Sequence, residues 1–171
     1  MQFKIMKKFI PIILIAIAVF VGYRFLNTDK TNTTSIFPEQ FIDDRSNFAQ
    51  VKQLFNDAMD LTMPPDNSGK PFDMPKEQED QIRSNLAEGI SLSKKIDDSF
   101  LDYLNPDLKN NFRNKYVRGY ELFLEGLSSD TSNINSIGVQ KQIESGKLID
   151  EFNVWWDSNK DAITNKAYPE K

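Results

Sequence analysis

The sequence predicts an all-α protein, with an N-terminal transmembrane helix followed by an up-and-down four-helix bundle. Three observations carry that expectation. Residues 9–26 are almost wholly apolar, and beyond residue 37 apolar side chains recur at steps of three and four. No short segment alternates apolar and polar residues between turn signals, as a half-buried strand would.

The N-terminal run from Phe9 to Leu26 covers 18 residues and is interrupted only by Arg24. As a helix it would be about 27 Å long, close to the hydrocarbon thickness of a bilayer. Pro11 falls in its first turn, where the missing N–H costs little. Lys4, Lys7 and Lys8 precede the run. Positive charge is retained on the cytoplasmic side, so residues 1–8 are expected in the cytoplasm of a bacterium, 9–26 as a signal-anchor across its plasma membrane, and the rest outside. The competing reading is a cleaved leader, since Ala16-Ile17-Ala18 has the small-x-small pattern of a processing site. Cleavage there would leave the apolar stretch from Val19 as a new N-terminus. Both readings export the remaining chain. A lipid-modified cysteine is ruled out, because the chain has none.

Residues 27–36 are polar and lack apolar periodicity, which suits a flexible tether. Residues 37–171 form the expected extracytoplasmic helical domain. Residues 1–35 carry five basic and one acidic side chain, leaving 16 basic and 24 acidic in the remainder, a formal charge of −8. Nucleic-acid binding requires phosphate neutralisation and is not expected of such a domain.

Within the domain, a first helix is expected from Pro38 to about Leu61, with Phe41, Phe48, Val51, Leu54, Phe55, Ala58 and Leu61 on one stripe. Pro64-Pro65 ends it. A second runs as one long helix from Pro75 to Leu104, with Asp73 as its cap and Ile82, Leu86, Ile90, Ile96, Phe100 and Leu104 inward; Gly89 marks a bend or a close contact. The third opens on Asn105-Pro106-Asp107, a capping residue, a first-turn proline and an acid at the positive end of the dipole. Leu108, Phe112, Tyr116, Gly119, Phe123 and Leu127 follow on one face. The fourth starts between Asp130 and Ser136 and reaches about Lys160, with Val139, Ile143, Gly146, Ile149, Phe152 and Trp156 inward. Residues 62–74, with three prolines, form a connection longer than bundle turns usually are.

The chain has neither His nor Cys. That excludes Ser-His-Asp and Cys-His centres, thiolate or imidazole zinc sites, haem, iron–sulfur clusters and disulfides. Carboxylate clusters remain. Asp97, Asp98 and Asp102 faintly resemble an aspartate-rich magnesium motif, but the spacing is wrong and no second cluster exists. Glu121 and Glu125 are neighbours on one helix, whereas acid–base pairs face each other across a cleft. Neither makes a convincing site, so no catalytic residue, metal or cofactor is expected. The basic strip of Lys109, Arg113, Lys115 and Arg118 reads first as a set of internal ion-pair donors and second as a surface for an acidic partner.

The expected function is therefore a membrane-anchored, non-catalytic domain that binds another envelope protein, as an accessory subunit or as an immunity-type inhibitor. Trp155, Tyr120, Phe72, Met74 and Arg113 are the candidate contact residues, because exposed aromatics and Arg serve as binding anchors. The alternatives are a bundle that binds a small molecule between its helices and, less favoured, a carboxylate- or cation-dependent enzyme.

Overall fold

The computed structural model describes residues 37–62, 74–129, 132 and 135–169. The described residues are helical, with no strand among them, and form five helices. α1 spans Ile42–Asp60 behind a single 3-10 turn, Glu39–Phe41. α2 spans Lys76–Ser93 and α3 Asp98–Leu104. α4 is continuous but not uniform: Leu108–Asn111 is α-helical, Phe112–Val117 is a π stretch, and Arg118–Leu127 returns to α. α5 is the longest, Ile137–Ala167. Among the described residues no helix is long and apolar enough to cross a membrane. Residues 9–26, the cleavage pattern at Ala18, Asp73 and most of the proline-rich connection lie outside them.

The helices pack in pairs. Gln78 at the start of α2 donates to the carbonyl of Leu61 at the end of α1 (2.5 Å), so these two run antiparallel. A side chain on Gly126, near the end of α4, would stand 2.9 Å from the Gly138 carbonyl at the start of α5. That pair is antiparallel too, with its backbones nearly touching. Between the pairs lies an aromatic layer. Phe48 of α1 meets Phe112 (5.2 Å between centroids) and Trp156 (6.2 Å), while Phe55 stacks on Tyr120 at 4.0 Å and edges onto Tyr116. Tyr116 in turn lies 4.3 Å from Phe152 of α5.

The π stretch explains how α4 serves this layer. Phe112, Tyr116 and Tyr120 are spaced by four, a step that drifts about 40° per repeat around an α-helix. A π turn holds more residues and reverses the drift. All three rings therefore stay aimed at α1, and all three are buried.

Where the spacing predicts one helix from Pro75 to Leu104, the chain forms two. Lys95 and Ile96 donate back to Leu92 and Ser93, closing α2. Asp97 then leaves helical geometry and accepts the Ser99 N–H (2.7 Å) as the cap of α3. The Asp97 N–H is itself held by Asp44 of α1 at 2.8 Å. Gly89 is not a bend. It lies within α2, pressed against the Phe55 ring, and a Cβ there would overlap ring atoms that cannot retreat from Tyr120. The third start behaves as expected, with the Asn105 carboxamide oxygen accepting the Asp107 N–H (2.8 Å) before Leu108.

The stripe of the last helix is also corrected. Its buried positions are Gly138, Ser145, Ile149, Phe152, Trp156, Ile163, Thr164 and Ala167, and Ile143 points outward. Where the α4 and α5 backbones approach most closely, at Gly126 and Gly119, the inward α5 positions are the small Gly138 and Ser145, while Ile143 points to solvent.

Helix C-termini leave carbonyls without partners, and here neighbouring helices supply the donors. Arg45 donates to Ala167 O at the end of α5 (3.2 Å), and Arg83 to Leu127 O at the end of α4. Arg113 donates to Ser93 O and Ile96 O beyond α2 (both 2.5 Å). Three of the four described arginines thus act as clamps between elements.

Candidate functional site

The sequence-derived candidates occupy very different places. Tyr120, expected at the surface, is fully buried and takes no part in it: the π turn carries it into the layer against Phe55. Arg113 is engaged with Ser93, Ile96 and Asp98 (3.0 Å), which uses its guanidinium fork internally. Met74 is half-buried against the core where α2 begins, and Phe72 lies outside the described residues. Trp155 is half-buried at the flank of the α5 stripe, with its ring 6.0 Å from Phe152. The five do not converge on one patch.

The rest of the basic strip is likewise paired with acids of the same domain, at its surface. Lys109 faces Asp98 (3.9 Å) and Asp102 (3.6 Å), and Lys115 faces Glu151 at 3.7 Å. Arg118 bridges Glu121 and Glu125, both at 3.2 Å. Glu125 also accepts from Lys141 of α5 at 2.7 Å, and these donors, Lys141 first, hold its carboxyl below the usual range. The Ser99 hydroxyl and N–H do the same for Asp97. The acids that suggested metal or acid–base chemistry are thus held by cations and backbone donors. Among the described residues no group of three acids is placed to hold a metal ion.

Tyr116 and Tyr120 form the buried polar centre of the bundle, and burial raises the pKa of both phenols. The Tyr120 hydroxyl lies against that of Tyr116, short of full hydrogen-bond geometry. A buried hydroxyl so weakly bonded recovers little of its desolvation cost, so Tyr120→Phe is expected to raise stability by about 1 kcal/mol or less in urea unfolding. A loss of stability instead would show that the hydroxyl has a bonding role.

No family model, curated protein or solved structure matches the chain. The surface therefore speaks through its own chemistry.

What the sequence reading missed is the outward side of α5. Ile143 is 51% exposed and Val154 73%, with Ile137 also exposed at the start of the helix. Between Ile143 and Val154 lie Lys147, whose nearest acid is Glu151 at 4.0 Å, and Asp150. Asp150 has no cation within ion-pair distance among the described residues, and partial burial alone raises its carboxyl pKa. The signal was present in the sequence as a step pattern of four, three and four through residues 143, 147, 150 and 154. It is hidden by the neighbouring apolar residues of the inward stripe.

Proposed function

We propose that this protein is a membrane-anchored, non-catalytic domain, an up-and-down four-helix bundle held outside the cytoplasm of a bacterial cell, that binds another envelope protein. In this reading α2 and α3 are one helical leg interrupted at Lys94–Asp97. The observation that carries it is the 18-residue apolar run behind three lysines, which confines partners to the envelope. The engagement of the described carboxylate clusters by Lys and Arg supports a binding role over carboxylate chemistry. Trp155 is the remaining aromatic anchor, half-buried beside exposed Val154.

The test is in-cell crosslinking of tagged full-length protein, followed by membrane purification and mass spectrometry. One near-stoichiometric envelope partner is expected, with its yield cut at least fivefold by Trp155→Ala. Recovery in the soluble fraction with no processing would remove the anchor, and no partner from cells where the protein is abundant would remove the binding role.

A further inference from the structure

We infer that the tether-side end of the bundle docks on the bilayer, seating Phe37, Ile42 and Tyr168 at the headgroup level of zwitterionic lipid. In the membrane-anchored reading, on which this inference rests, residues 27–36 join the apolar run to Phe37. Ten residues reach at most about 35 Å when extended and about 17 Å as a flexible coil. The end at which Phe37 enters is therefore the one held beside the lipid. The other end lies a helix length further along the bundle, about 28 Å for the 19 residues of α1.

Both ends of the domain meet at this place. Asp44 holds the Asp97 N–H before α3, and Arg45 donates to Ala167 O, so the start of α1, α3 and the end of α5 gather there. Leu61, Gln78, Leu127 and Gly138 mark the opposite end. The Arg45 guanidinium lies between two rings, 4.4 Å from the centroid of Phe37 and 5.2 Å from that of Tyr168. Ile42, one turn before Arg45, is 46% exposed and Tyr168 45%. Tyr103 continues the patch, 6.0 Å from Phe37 and beneath the Lys166 ammonium at 4.7 Å.

Aromatic bodies flanked by long basic side chains suit the headgroup region, where the rings sit at the interface and Lys and Arg extend toward water or phosphate. The charges suit a zwitterionic surface. Beside the rings, Glu39, Asp43, Asp44 and Asp102 nearly balance Arg45, Lys109 and Lys166, in a domain whose formal charge is −8. At the opposite end Asp57, Asp60, Glu77, Glu79 and Asp80 outnumber Lys76 and Arg83 on α1 and α2, so acid excess stands away from the lipid. Three side chains bind lipid weakly on their own. The tether compensates, since a short flexible linker raises the effective concentration of what it joins to about the millimolar range.

The chain has no cysteine, so a thiol-reactive fluorophore reports from one introduced position at a time. Phe20→Cys, Gln40→Cys and Ile137→Cys are labelled in full-length protein reconstituted in phosphatidylcholine vesicles. The vesicles carry nitroxide lipid, labelled at the headgroup for positions 40 and 137 and along the acyl chain for position 20. Position 20 reads the anchor, 40 the docked end and 137 the opposite end. Quenching at 40 is expected to exceed that at 137 at least threefold, and Ile42→Ser with Tyr168→Ser to remove at least two-thirds of that excess. Circular dichroism checks that each variant keeps the fold. Quenching at 20 with equal signals at 40 and 137 would overturn the docking and leave the anchor standing. An excess at 40 untouched by the double variant would overturn it too, because the tether alone then explains the proximity. No quenching at 20 would remove the anchor, and this inference with it.

Discussion

Arg113→Ala is expected to lower the unfolding free energy by about 3 kcal/mol, the largest loss among the charged residues of the domain. The reason lies in what the side chain touches. Its fork reaches the carbonyls of Ser93 and Ile96 at 2.5 Å each, at and just beyond the end of α2; Ser93 O also accepts the Ile96 N–H (3.3 Å), so the Ile96 carbonyl depends more on the guanidinium. It also reaches Asp98 at 3.0 Å, at the start of α3. Hydrogen bonds from a charged donor contribute about 1.5–3 kcal/mol each, and orphaned carbonyls cost about 1–3 kcal/mol when water cannot replace the donor. Some water can enter here, so the sum is not reached. Arg113→Lys offers one compact ammonium where two diverging carbonyls need a fork, and is expected to recover less than half of the loss. Asp98 is half-exposed, and Asp98→Asn is expected to cost about 1 kcal/mol or less, as surface ion pairs do. Urea unfolding followed by circular dichroism orders the three variants. Equal, small losses in Arg113→Ala and Asp98→Asn would mean that the carbonyls find water and the clamp has no special role.

That clamp also shows why some of the structure was legible in the sequence and some was not. The helices and their core stripes follow from spacing alone, because burial of one side leaves its period in the chain. α1 and the start of α4 are cases in point, with Phe48, Val51 and Phe55 inward and Asn105 bonding the Asp107 N–H. The break between α2 and α3 was readable in principle. Ile90 to Ile96 is a step of six, which no helical stripe contains, and Asp97 two residues before Ser99 is a capping pattern. The exposure of Ile143 was readable, because Ile143 to Ile149 is likewise a step of six. The π stretch and the burial of Tyr120 were not readable, since both depend on the rings of Phe48 and Phe55, distant in sequence. For the same reason Arg113 looked available to a partner. Its acceptors lie 17 and 20 residues away and come within reach only when the chain turns at Lys94–Asp97. Local pattern reports which residues are buried, and tertiary contact decides which polar groups are already engaged.

Lys52→Met is expected to act in the opposite direction and to stabilise the domain near neutral pH by about 4 kcal/mol. Lys52 belongs to α1 and sends its ammonium over the indole of Trp156 on α5, 3.8 Å from the ring centroid. The aromatic face attracts the charge, but burial outweighs it. Desolvation, aided by the positive charge of Lys160, pulls the Lys52 pKa from 10.5 down to about 7. The folded protein therefore binds this proton more weakly than the unfolded chain does. Below about pH 7 both states carry it and the full cost of the buried charge is present. As pH rises from about 7 toward 10.5 the unfolded state holds more protons than the folded one, and stability increases along the way. At about 1.4 kcal/mol per pH unit the window from 7 to 10.5 sets an upper bound of about 5 kcal/mol, reduced because Lys52 is only half-buried and has contacts besides Trp156. The buried phenols of Tyr116 and Tyr120 close the window from above. Their raised pKa values make the unfolded chain lose protons first beyond about pH 10, so stability falls again there. Thermal unfolding of the parent and of Lys52→Met at pH 6, 7.5 and 9 tests this. The advantage of the variant should be greatest at pH 6 and shrink by pH 9, and Trp fluorescence of the parent should titrate near pH 7 while that of the variant does not. A constant difference across the three pH values would show that the ammonium stays protonated over Trp156 throughout. The seam between α1 and α5 would then be held by the cation–π contact, with no charge to lose.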